Sequence, residues 1–129
     1  MLYPELAEIT TMTLFQHLPY APAKAFEWIA DEREMFQFCG FLLSARLFSQ
    51  GLELSERAEA EFLDQSQTAI ESDLYYPRKA AALALKKYGG MNKKNAERVI
   101  RLLSTSKHSE NAELQALCND IKIEIEYLH

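Results

Sequence analysis

The chain has 129 residues, a formal net charge of −5, 48% hydrophobic residues, four glycines and four prolines. That size fits one globular domain over residues 1–129, able to bury about two-thirds of the surface its unfolded chain exposes. The composition excludes a low-complexity linker, and no apolar run reaches membrane-crossing length. The start Met1-Leu2-Tyr3-Pro4-Glu5 lacks a basic, then apolar, leader, so a cytoplasmic protein is expected.

Helical signals follow one another along the chain. Pro4 and Pro22 suit first-turn positions, where a missing N–H costs nothing, and predict helices over Pro4–His17 and Pro22–Ala30. Residues 32–50 carry Phe36, Phe38, Phe41, Leu42, Leu43, Leu47 and Phe48 on nearly every side. They read as the central buried helix, stopped at Gly51. Ser55 is a good N-cap for a helix to Ser72, with Ala58, Phe62, Ala69 and Ile70 turned inward. Pro77 opens a helix over Arg78–Tyr88, which Gly89-Gly90 ends. Asn92 caps Lys93–Ser104, and Ser109 caps a last helix to Leu128.

The late residues Ile121, Ile123 and Ile125 alternate as in a strand, but one strand has nothing to pair with, so helix is expected. The predicted fold is all-α, about seven helices joined by short turns. From Glu32 onward they read as antiparallel pairs, 32–50 with 55–72 and 77–88 with 92–104, the pattern of a HEAT-like α-solenoid.

Charge is not spread evenly over this framework. Residues 1–76 carry 13 acids and 4 bases, a net −9. Residues 77–108 carry nine bases against the single acid Glu97, a net +8, and residues 109–129 return to −4. On the penultimate helix Lys94, Arg98 and Arg101 recur at i, i+4 and i+7, opposite Ala96, Val99, Ile100 and Leu103. On the helix before it Arg78, Lys79, Lys86 and Lys87 spread over the outer half. Lys93 and Lys94 sit in a first helical turn, where the dipole disfavours each cation by about 0.3–1 kcal/mol.

A face that costs stability implies a partner. The candidate site is therefore Arg78, Lys79, Lys86, Lys87, Lys93, Lys94, Arg98 and Arg101. Its expected ligand is a polyanion, at about four to six phosphate contacts if a nucleic acid fills that role. The alternative is an acidic protein surface, the acidic helix 55–72 of another copy included.

Little else in the sequence carries chemistry. His17, His108 and His129 are scattered without ligand spacing, so no metal and no cofactor is expected. Cys39 and Cys118 read as buried reduced thiols. Glu56, Glu59, Glu61 and Asp64 read as acids of a solvated helix face, and no nucleophile motif is present.

The segment Tyr75-Tyr76-Pro77-Arg78-Lys79-Ala80-Ala81-Ala82-Leu83-Ala84-Leu85-Lys86-Lys87-Tyr88-Gly89 resembles a repeat helix of the HEAT-like DNA alkylation repair family, the AlkD-type glycosylases. Upstream, Phe26-Glu27-Trp28-Ile29-Ala30 and then Met35-Phe36-Gln37-Phe38 resemble the preceding repeat, so the likeness spans roughly residues 24–105. It implies an α-solenoid whose basic concave face cradles duplex DNA, and excision of cationic alkylated bases without a metal. Met35, Gln37 and Phe38 stand where the family has a second tryptophan and paired arginines, and Leu83 stands where it has a later tryptophan. Trp28 followed by Asp31 or Glu32 is the only imitation of its catalytic aspartate. The expectation is a shortened relative that keeps the scaffold without the excision.

Overall fold

A computed structural model describes residues 21–105 and 111–129 of the chain. The expected helix Pro4–His17, the cap Ser109 and the histidines His17 and His108 lie outside the described residues. The described residues form six helices and no strand: α1 (Ala21–Ile29), α2 (Glu34–Ser49), α3 (Glu56–Glu71), α4 (Tyr75–Gly89), α5 (Lys93–Thr105) and α6 (Ala112–Leu128). The fold is all-α.

Local chemistry accounts for most of the boundaries. Ser55 accepts a hydrogen bond from the Ala58 N–H at 3.2 Å, and Asn92 accepts one from the Asn95 N–H at 2.9 Å. Asn111 caps α6 through the N–H groups of Glu113 and Leu114. Gly51 leaves α2 with φ 96°, a conformation that only glycine adopts without strain. One boundary differs from expectation. α4 begins at Tyr75, with Pro77 inside its first turn rather than ahead of it. The first-turn N–H groups have no acceptor within the helix, so the proline is tolerated there.

The pairing also differs. The main partner of α2 is α4, with α1 next, while α3 packs chiefly on α4. The short 72–74 turn returns α4 directly along α3, whereas the longer 50–55 connection carries α3 away from α2. Aromatic contacts fix the directions. Phe38 meets Tyr76 near the starts of α2 and α4, at 5.6 Å between ring centres, and Phe48 meets Tyr88 near their ends, at 4.9 Å. α2 and α4 therefore run parallel.

α6 runs parallel to α4 as well, since Arg78 pairs with Glu113 at one end and Gly89 abuts Ile125 at the other. α5 runs parallel to α3, through Arg98 with Glu59 and Gln67 with Thr105. The result is a layer α2/α4/α6 packed on a second layer α3/α5. The expected antiparallel pair 77–88 with 92–104 forms, as α4 with α5; the expected pair 32–50 with 55–72 does not, because α2 takes α1 and α4 as its neighbours and α3 pairs antiparallel with α4.

The expected central helix, α2, is buried along its second half, but α4 is the hub: it packs on α2, α3, α5 and α6. Ala80, Ala81, Ala82 and Ala84 are buried there, and their small side chains let neighbouring helices approach closely. Gly40 plays the same part where α1 crosses α2. A Cβ at that position would lie 2.6 Å from the Ile29 nitrogen and 2.9 Å from the Ala25 carbonyl oxygen. Backbone cannot yield as a flexible side chain can. Gly40→Ala should therefore lift α1 off α2 and cost about 1–3 kcal/mol in a urea titration. A loss below about 0.5 kcal/mol would mean the crossing is not tight.

Candidate functional site

The eight cations of the candidate site do not share one surface. Arg78 pairs with Glu113 at 3.5 Å and Lys86 pairs with Asp120 at 2.6 Å, both across the α4/α6 seam. Lys79 lies over the Tyr75 ring, 5.7 Å from its centre, on the same flank. Arg98 pairs with Glu59 across α5 and α3, and Lys94 and Arg101 line the groove between those helices beside Glu56 and Glu97. That groove, of about 530 Å³, and the α4/α6 groove have no lining residue in common.

Lys87 borders a hollow shared with Glu124 and Tyr127, and Lys93 is exposed in the first turn of α5. Among the described residues, Lys79, Lys87, Lys93, Lys94 and Arg101 make no ion pair.

The expected common face is therefore replaced by two separate seams, and the reason is the layering. α4 has α6 as its neighbour within one layer, and α5 has α3 within the other. Flanks that a helical wheel marks as outward consequently face the acidic helices on either side. Both neighbours come from the net-negative segments of the chain.

The most constrained chemistry lies under the α3/α5 groove, and sequence reasoning missed it. Glu59 is not a solvated acid; it is buried. Its carboxylate accepts a hydrogen bond from the Tyr88 hydroxyl on one oxygen and from the Arg98 guanidinium on the other. The signal was present in the spacing. Glu59 precedes Phe62, Ser66 and Ile70 at i+3, i+7 and i+11, the same stripe that forms the inner face of α3. The Tyr88 ring packs on Phe48 and Phe62, and its burial pushes the phenol up to about 12.

Asp31, the candidate imitation of a catalytic aspartate, is also engaged. Arg33 donates to both of its carboxylate oxygens, at 3.0 and 2.9 Å, and the Arg33 backbone N–H adds a third bond at 2.8 Å. The side-chain bond from Arg33 is the main reason its carboxyl is held down at about 2. A base that weak is poorly matched to proton abstraction near neutral pH.

Neither Cys39 nor Cys118 forms a disulfide. Among the described residues no group of three or more His, Cys, Asp or Glu is placed to hold a metal ion. No helix among them is long and apolar enough to cross a membrane. No family model matches the chain, and no curated protein and no solved structure matches it.

Two stability outcomes follow from this geometry. Glu59→Ala leaves Arg98 and Tyr88 without their acceptor and should cost about 3 kcal/mol, the low end for a broken buried pair because Arg98 is half-buried. Lys86→Ala removes a pair whose carboxylate, Asp120, is exposed to water where Glu59 is buried, and should cost less than about 1 kcal/mol. Equal losses in chemical denaturation would contradict the distinction.

The second outcome concerns alkaline pH. Because the folded state holds the Tyr88 proton more tightly than the unfolded state does, its contribution is complete below about pH 10. It is lost as the pH rises through about 12. Tyr88→Phe should flatten that alkaline fall in denaturation midpoint; an unchanged profile would assign the fall to other groups.

Proposed function

We propose that this chain is a non-catalytic helical-repeat interaction domain that docks another protein on the outer face of its α2/α4/α6 layer. The observation that carries the reading is the engagement of Arg78, Lys86 and Arg98 by Glu113, Asp120 and Glu59. The basic helices hold the acidic helices beside them instead of offering one positive surface. What α4 and α6 turn outward is mixed: Tyr76, Lys79, Leu83 and Lys87 beside Ile123, Glu124 and Tyr127. A duplex laid across that layer would meet Glu113, Asp120 and Glu124 together with the lysines, and those carboxylates repel phosphate.

The parallel layering of successive helix pairs supports an α-solenoid of the kind the AlkD-type resemblance implies. Such stacks use extended helical surfaces for binding. Base excision is not part of the reading, since Asp31 is tied to Arg33 and Leu83 occupies the position of the family's later tryptophan.

A second reading, backbone binding to duplex DNA, is favoured by Lys87, Lys93 and Lys94. These flank the α4–α5 turn and have no ion pair among the described residues. About three phosphate contacts correspond to a log–log salt slope of roughly −3. Fluorescence titration of duplex DNA at about 50 mM salt separates the readings when wild type is compared with a Lys93→Glu/Lys94→Glu variant. The docking reading expects no binding at micromolar protein and no difference between the two. Salt-dependent binding with that slope, lost in the variant, would replace it with the nucleic-acid reading.

A further inference from the structure

We infer that the outer α4/α6 face is an interface with a second copy of this chain, with α4 of each protomer lying over α6 of the other. The inference rests on the docking reading above and names its partner.

α6 is apolar on two opposite sides. Leu114, Cys118, Ile121 and Ile125 form its buried stripe. At i, i+7 and i+11 on the far side stand Ala116, Ile123 and Tyr127, with Ile123 66% and Tyr127 89% exposed. A helix packed on one side needs one such stripe, so the second is a surface without a cover among the described residues. The strand-like alternation of Ile121, Ile123 and Ile125 has the same origin, because Ile123 points away from the other two.

α4 repeats the pattern. Opposite the buried Ala81, Leu85 and Tyr88 run Tyr76, Lys79, Leu83 and Lys87, with Tyr76 38% and Leu83 37% exposed. The groove between α4 and α6, lined by Tyr75, Lys79, Ala116 and Asp120 among others, places the two stripes side by side on one face.

The charges of the two stripes are opposite. Lys79 and Lys87 on α4 and Glu124 on α6 make no ion pair among the described residues. Glu113 and Asp120 remain exposed beside their intramolecular partners. A basic aromatic stripe next to an acidic apolar one is self-complementary, as a two-fold contact requires.

Geometry then selects the axis. A two-fold running along the seam, parallel to the helices, preserves helix direction and level. Because α4 and α6 are parallel, with residue 78 level with 113 and 86 level with 120, that rotation brings Lys79 beside Glu113 of the other copy and sets Lys87 within about one helical turn of its Glu124, inside the reach of a lysine side chain. The acidic, apolar helix that the α4 stripe fits is thus supplied by the chain itself.

Sedimentation at about 100 μM protein, in low and high salt, tests the inference. Wild type should dimerise, more tightly at low salt. Ile123→Glu should be monomeric with unchanged helical circular dichroism and melting temperature, because the side chain is exposed. Lys87→Glu should weaken the dimer at least about tenfold, and Lys87→Glu/Glu124→Lys should restore most of that loss, the signature of a direct pair.

A strictly monomeric wild type, a dimer insensitive to Ile123→Glu, or a double variant no tighter than Lys87→Glu would each overturn it. Uptake of an apolar fluorescent dye distinguishes the two levels of failure. A monomer that binds the dye through Leu83 and Ile123 overturns the second copy as partner while the docking face stands. A monomer that binds none overturns both.

Discussion

The buried carboxylate of Glu59 ties four of the helices together. Removing an ionised group from water costs several kcal/mol unless its oxygens are occupied, and here both are, by the Tyr88 hydroxyl and the Arg98 guanidinium. The three groups sit on α3, α4 and α5, and the Tyr88 ring also packs on Phe48 of α2. One cluster therefore sets the register of four helices at once. Apolar contacts such as Phe48 with Phe62 tolerate small slides, since alternative neighbours are equally apolar. A slip of one turn, about 5.4 Å, would leave the Glu59 charge stranded.

The cationic block takes its meaning from this arrangement. α4 and α5 stand beside acidic α6 and α3, and the pairs Arg78–Glu113, Lys86–Asp120 and Arg98–Glu59 bridge helices far apart in sequence. The two pairs with exposed carboxylates, Glu113 and Asp120, contribute about 0–1 kcal/mol each, so they do not account for the fold's stability. Their effect is on which flanks meet. Rotating α6 about its axis would bring apolar or uncharged residues of the same levels, such as Leu114 and Ile121, to Arg78 and Lys86 in place of Glu113 and Asp120, and only the observed orientation also buries Ile121 and Ile125. Charge and apolar pattern agree on one placement of the last helix.

Much of this was legible in the sequence, and the remainder shares one cause. The caps Ser55 and Asn92, the stop at Gly51 and the helical character of residues 112–128 depend on neighbours within a turn, which the sequence displays directly. The fate of Arg78, Lys86 and Arg98 depends on residues 34 to 39 positions away, which a helical wheel does not contain. Glu59 was misread because its residue type outweighed its place on the stripe with Phe62, Ser66 and Ile70. The shift in helix pairing has the same character: two connections of different length, 50–55 and 72–74, decide it, and both look like ordinary polar turns. The exposure of Leu83 on the outer face likewise follows only from the packing of α4.

The seam pairs and the outer stripes are not independent. Arg78–Glu113 and Lys86–Asp120 occupy the polar flanks of α4 and α6, which leaves the apolar centres of both stripes facing water. Anything that covers those centres also removes water from the pairs. Their Coulomb attraction then strengthens as the local dielectric falls, although desolvation of each ion offsets part of the gain. Salt weakens an exposed pair more than a covered one, since mobile ions reach only the former. Docking on this face and the hold of α6 on α4 are therefore linked: a partner that prefers the assembled seam stabilises α6 by mass action, and loosening α6 removes half of the partner's surface.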